Sequence, residues 1–141
     1  MTTENVAAAG SRAKPRITLS ADDYERLSAL AHTARNRMPD LATDLAEEIG
    51  RAQVLTKGKH PKHIVRMNSE VEFRDETTGK TRKVVLVYPA EADISQGKVS
   101  VLTPVGTALI GLQTGDAMTW ETPSGEIREL TVLAVRDHQS T

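Results

Sequence analysis

No cysteine occurs among the 141 residues, which excludes disulfide staples, thiolate zinc sites and cysteine nucleophiles and suits a reducing compartment. Aromatic side chains make up only 3% of the chain, so base-stacking platforms and aromatic ligand cages have little to be built from. Core volume must come from Val, Leu, Ile and Ala. No apolar run approaches the roughly 18 residues of a membrane span, and the opening MTTENVAAAGSRAKPR lacks the long apolar stretch of a secretory leader. Net charge is nearly absent too: eighteen Lys and Arg against nineteen Asp and Glu leave −1. That balance predicts no global field for nucleic acid, and any electrostatic function has to be local. The expectation is a soluble cytoplasmic protein of one domain, with at most indirect nucleic-acid contact and no membrane association.

Catalytic signatures are missing as well. There is no P-loop, no G-x-G-x-x-G, no G-x-S-x-G and no H-E-x-x-H, so no catalytic residue, metal or cofactor is assigned. HPKH sets His60 and His63 three apart, but its neighbours are Lys and Arg where a metal site needs a carboxylate or a third imidazole. Two exposed linker histidines are the expectation.

What is present begins after a polar stretch over residues 1–16 that offers nothing to bury and reads as a flexible tail. Ser20 followed by Asp23 makes a capping-box-like start, and Tyr24, Leu27, Leu30, Ala31 and Ala34 then recur at helical spacing. Pro39 breaks that pattern and fits the first turn of a second helix, on which Leu41, Leu45, Ile49, Ala52 and Leu55 share a face until Gly58 and Pro61 end it. The spacing predicts a short antiparallel helical hairpin, a small coiled coil, over residues 17–57, with helices of about 15–17 residues and hence on the order of 24 Å. A basic linker over 58–68 follows.

From there the period changes to two. EVEFRD alternates with Val71 and Phe73 on one face, ETTGK turns into TRKVVLVYP, and KVSVL, AMTWET and EIRELTVLAV supply three more strands. Helices first and a mainly antiparallel sheet afterwards, over 69–137, is an α+β order. Between the third and fourth strands, Thr103 suits an N-cap, Pro104 a first helical position and Gly111 a left-handed helix end, predicting one short helix.

Charge is placed unevenly. Asp40, Asp44, Glu47 and Glu48 precede any base in the second helix, and Arg51, Lys57, Lys59, Lys62 and Arg66 follow without an acid between them. Both blocks complement a helix macrodipole, and equally they make an acidic hairpin tip above a basic neck.

The sheet region NSEVEFRDETTGKTRKVVLVYPAEADISQGKVSVLTPVGTALIGLQTGD, with WETPSGEIRELTVLAV after it, resembles the C-terminal domain of the Gre transcript-cleavage factors. The matching elements are EAD, GKVSV, TPVGTALIG, the GD turn and the TPSG turn, together about half the chain. With the helical hairpin, RAQVL and HIVRMNSEVEFRD, the likeness extends to the Rnk family, regulators of nucleoside diphosphate kinase within the Gre superfamily, over roughly Arg16 to Val135. That name describes a regulatory effect and establishes no contact with a kinase.

The resemblance implies a C-terminal FKBP-like sheet that docks at the rim of the RNA polymerase secondary channel, with the hairpin pointing inward. In Gre factors a long hairpin carries acidic tip residues to the polymerase magnesium, where they activate water to cleave backtracked RNA. This hairpin is too short for ligation, which needs contacts near 2 Å. The implied behaviour is a monomer that occupies the channel in competition with Gre factors without stimulating cleavage. The Gre segment that meets the polymerase coincides with Leu102, Thr103, Pro104 and Val105; Gre factors often carry an acid where this chain has Leu102. Asp40 and Asp44 stand for the tip acids at a spacing of four, where the family usually has three. Two enzymatic alternatives stay open: a prolyl isomerase on the FKBP-like fold, using Tyr88 and Trp120, and true cleavage stimulation through Asp40 and Asp44.

Overall fold

The computed structural model describes residues 15–56, 63–122 and 124–137. Its elements in chain order are β1 (Thr18–Leu19), α1 (Ala21–Ala34), α2 (Pro39–Gly50), β2 (Gln53–Val54), β3 (Ser69–Asp75), β4 (Lys80–Val87), β5 (Lys98–Ser100), α3 (Pro104–Leu109), β6 (Ala117–Glu121) and β7 (Ile127–Asp137). The α+β order read from the sequence is the observed one.

Helix α1 starts where the capping residues place it. Ser20 accepts the Asp23 amide at 3.1 Å. The Asp23 carboxylate does not fold back to complete the box; it accepts the Met67 amide at 3.2 Å, fastening the helix start to the approach to β3. Burial of the Asp23 carboxyl pushes its pKa up, against the lowering effect of that amide and of Arg66 and Arg26.

Helix α2 has Pro39 in its first turn as expected but stops at Gly50, well before Gly58. The expected length over to residue 57 is therefore corrected: twelve residues span about 18 Å and the fourteen of α1 about 21 Å. The chain leaves the helical path because Gln53 and Val54 pair in parallel with Thr18 and Leu19. Amides of Gln53 and Leu55 bond the carbonyls of Ile17 and Leu19 at 2.9 Å each. A two-strand ladder thus ties the two ends of the hairpin, which the apolar period of Ala52 and Leu55 concealed.

The main sheet runs β5-β4-β3-β7-β6, antiparallel except for the β4–β5 pair. One extra residue on β7 opposite Glu72 and Phe73 shifts the register and bends the sheet. Val71 and Phe73 point into the core, as their alternation predicts. Hairpin residues Leu27, Leu45 and Ile49 belong to the same apolar cluster as Phe73, Leu86, Leu109 and Leu130. Val65 and Met67, between hairpin and sheet, are buried in it as well. Tyr24 is an exception to the helical stripe, remaining 39% exposed.

Candidate docking surface

The segment from Ser100 to Thr107 is a turn closed by its own side chains. The Ser100 hydroxyl accepts the Leu102 amide at 3.0 Å, and the Thr103 hydroxyl donates to the Ser100 carbonyl at 2.7 Å while accepting the Gly106 amide at 3.0 Å. Thr107, buried, donates its hydroxyl to the Val101 carbonyl at 2.8 Å. Thr103 is therefore the N-cap of α3, with Pro104 in the first turn. Beyond the helix Gly111 adopts φ +81° in close approach to Ile17.

This turn divides the four expected contact residues. Thr103, Pro104 and Val105 are half-buried and keep accessible surface. Leu102 turns inward, 6% exposed among the core side chains. The Ser100 hydroxyl closes the turn on the Leu102 amide, leaving the leucine side chain to fill apolar space, so the segment presents its surface through the three residues that follow.

Asp40 and Asp44, one helical turn apart on α2, are both exposed. The structure brings them to Pro104. A cleft of about 650 Å³ is lined by Met38, Asp40, Leu41, Asp44, Pro104 and Glu121 among others. It continues into a second of about 290 Å³ toward the end of α2, where Glu47, Glu48, Ala108, Met118, Trp120 and Ile127 join the lining. Asp44, Pro104 and Glu121 border both parts. The groove has an apolar floor and an acidic rim, and among the described residues no Lys, Arg or His lines it.

Glu48 is a structural member of that rim. Its side chain, 4% exposed, lies 2.7 Å from the Arg51 guanidinium. Arg51 also donates to the Pro15 carbonyl at 2.6 Å and reaches the Met118 sulfur at 4.0 Å. One guanidinium thus fixes the incoming chain at the end of the groove.

Other sequence-predicted groups stay apart. Tyr88 follows β4 and Trp120 lies on β6; β3 and β7 intervene, a separation of roughly 14 Å at ordinary strand spacing. Tyr88 instead packs under Arg26, whose guanidinium carbon stands 4.4 Å from the ring centroid. Burial first, then the Asp23 charge, pushes the Tyr88 hydroxyl up to about 12. Phe73 is in the core, so no aromatic-lined prolyl pocket forms among the described residues. His60, Lys57, Lys59 and Lys62 lie outside the described residues, and within these no cluster of three metal-capable side chains occurs. No helix of the described residues is long and apolar enough to cross a membrane.

Residues 60–137 match the family model of the transcription elongation factor GreA/GreB C-terminal region, and residues 15–55 match that of the Rnk N-terminus. The chain belongs to the Rnk branch of the Gre family. It is 38% identical over 120 residues to the regulator of nucleoside diphosphate kinase of Escherichia coli K12, covering 85% of this chain and 88% of that one. The transcription inhibitor protein Gfh1 of Thermus thermophilus is 33% identical over 119 residues, covering 82% and 74%. Among solved structures, a prokaryotic transcription elongation factor GreA/GreB from Nitrosomonas europaea superimposes with a TM-score of 0.67 at 39% identity, covering 87% of this chain and 99% of that one. The chain is thus a Gre-related transcription factor, and these relatives bear the names of regulators.

Sequence reasoning did not reach Met118, Trp120, Glu121 and Ile127 as groove residues. Strand alternation places Met118 and Trp120 on one face of β6, but which element covers that face depends on how α2 packs.

Proposed function

We propose that this protein is a non-catalytic regulator that binds core RNA polymerase at the rim of the secondary channel and competes there with Gre-type factors. The contact runs through Thr103, Pro104 and Val105, with Asp40 and Asp44 beside them. The observation that carries this reading is the shared lining of one groove by Asp40, Asp44 and Pro104. A Gre-type cleavage factor needs its tip acids far ahead of the docking surface, so that they reach the catalytic metal when the domain is seated on the rim. Here the acids lie beside the docking turn, on a helix of about 18 Å. Carboxylates held there stop well short of the contacts near 2 Å that metal ligation requires. Occupancy without cleavage follows.

Capture of core polymerase, with and without excess Gre factor, tests the reading: the expected result is capture that Gre factor displaces. Pro104→Asp places a desolvated charge in the contact and is expected to weaken capture at least tenfold, about 1.4 kcal/mol; unchanged affinity would remove the turn from the interface. In stalled elongation complexes the protein is expected to leave transcript length unchanged, and shortening of the RNA would assign catalysis to Asp40 and Asp44 instead.

A further inference from the structure

The groove between α2, α3 and β6 presents Pro104, Ala108, Met118, Trp120 and Ile127 to solvent, with Ile127 65% exposed. Around this apolar floor stand Asp40, Glu47 and Glu121, without a base among the described lining residues. Such a surface fits an extended segment carrying small apolar side chains and positive charge.

The chain itself supplies one. Arg51 holds the Pro15 carbonyl while contacting Glu48 and Met118, both of which line the groove. Whatever precedes Pro15 therefore starts at the groove's end. Residues 6–14 read VAAAGSRAK: Arg12 and Lys14 come next to the tether, and Val6 with three alanines lies farther out. In extended form nine residues reach about 30 Å, more than the roughly 18 Å length of α2. The tether also fixes a high effective concentration, so that individually weak contacts suffice.

We propose that residues 6–14 occupy this groove in cis, Arg12 and Lys14 against the Glu47 and Glu121 rim and the Val6 to Ala9 stretch on the apolar floor toward Pro104. The segment is then a built-in competitor for the face that carries Pro104; only that regulatory consequence rests on the polymerase-docking reading. Seating is electrostatic near the tether and is released by salt.

Trp120, the only tryptophan of the chain, lies in the groove and reports on it directly. Acrylamide quenching of its fluorescence is compared between the full chain and the full-chain variant R12E/K14E, with thermal unfolding confirming that both are folded. The quenching constant is expected to rise by a factor of about two in the variant, within what two exposed ion pairs support. The difference is expected to vanish at about 0.5 M salt, where the screening length falls to a few ångströms. Adding Glu47→Lys to the charge-reversed variant is expected to restore part of the protection. Equal constants at low salt overturn the proposal, and so does protection that grows with protein concentration, which assigns the groove to a second copy. Neither readout involves polymerase, so failure here and failure of polymerase capture are separate results.

Discussion

Replacing Gly106 by alanine sets local and tertiary causes against each other, because they predict opposite signs. Gly106 is the third residue of α3, where intrinsic propensity favours Ala over Gly by about 1 kcal/mol. The surroundings argue the other way. A Cβ at this position would overlap the Ser100 carbonyl oxygen and stand 2.9 Å from both Thr103 Oγ1 and Val101 Cα. Two of those three atoms are backbone and cannot rotate away, and the third is the cap of the helix. Overpacking of this kind costs about 1–3 kcal/mol, and displacing the Thr103 cap about 1 kcal/mol more. After the propensity gain is subtracted, Gly106→Ala is expected to destabilise by about 1–3 kcal/mol. Urea unfolding followed by far-ultraviolet circular dichroism measures it as a lower midpoint with an unchanged slope. A variant as stable as its parent would refute the close packing of the Ser100–Thr107 turn, and with it the geometric basis for the surface that Thr103, Pro104 and Val105 present.

Thr107→Val keeps the shape of the side chain but leaves the Val101 carbonyl without its buried donor, an expected loss of about 1–3 kcal/mol in the same urea experiment. Leu45→Ala, at a fully buried position of α2, is expected to cost about 2–5 kcal/mol. Because hairpin and sheet share one core, helical and near-ultraviolet signals are expected to be lost together; separate transitions would show two independent units. Two carboxylates should tilt the acid limb of the stability profile in opposite directions. Burial raises Asp75, but the Thr77 amide and the Arg128 guanidinium at 2.6 Å outweigh it and hold its carboxyl below the ordinary range. Its contribution is present above the unfolded carboxylate pKa near 3.9 and is lost as pH falls through the lower folded value. Asp75→Asn is therefore expected to flatten the acid limb. Asp23 is raised by burial, so the folded state takes up its proton first and acidification through that folded value favours folding. Asp23→Asn is expected to steepen the limb, as read from unfolding midpoints between about pH 3 and 6.

Elements and caps were legible in the chain because their causes are local. The Ser20 and Thr103 caps, Pro39 and Pro104 at first helical turns, the Val71 and Phe73 alternation and the left-handed Gly111 each follow from the backbone preferences of a few neighbouring residues. The end of α2 was not legible, because the stop at Gly50 depends on β2 pairing with a strand that precedes α1. Nor was the inward turn of Leu102, where the residue type gives no sign of which side of the turn faces the core.

Composition and motif absence set the limits on chemistry: without cysteine, a catalytic signature or spare aromatics, the chain was read as one that acts by binding. The sequence could also place acids on one face of α2 and a capped turn at Thr103, since helical period and capping need only local spacing. That these two features border one groove, with Met118, Trp120, Glu121 and Ile127 completing it, was decided by tertiary structure alone. The physical reason is that packing one element on another is non-directional burial of apolar area, and Leu27, Leu45 and Ile49 would read the same whatever surface they covered.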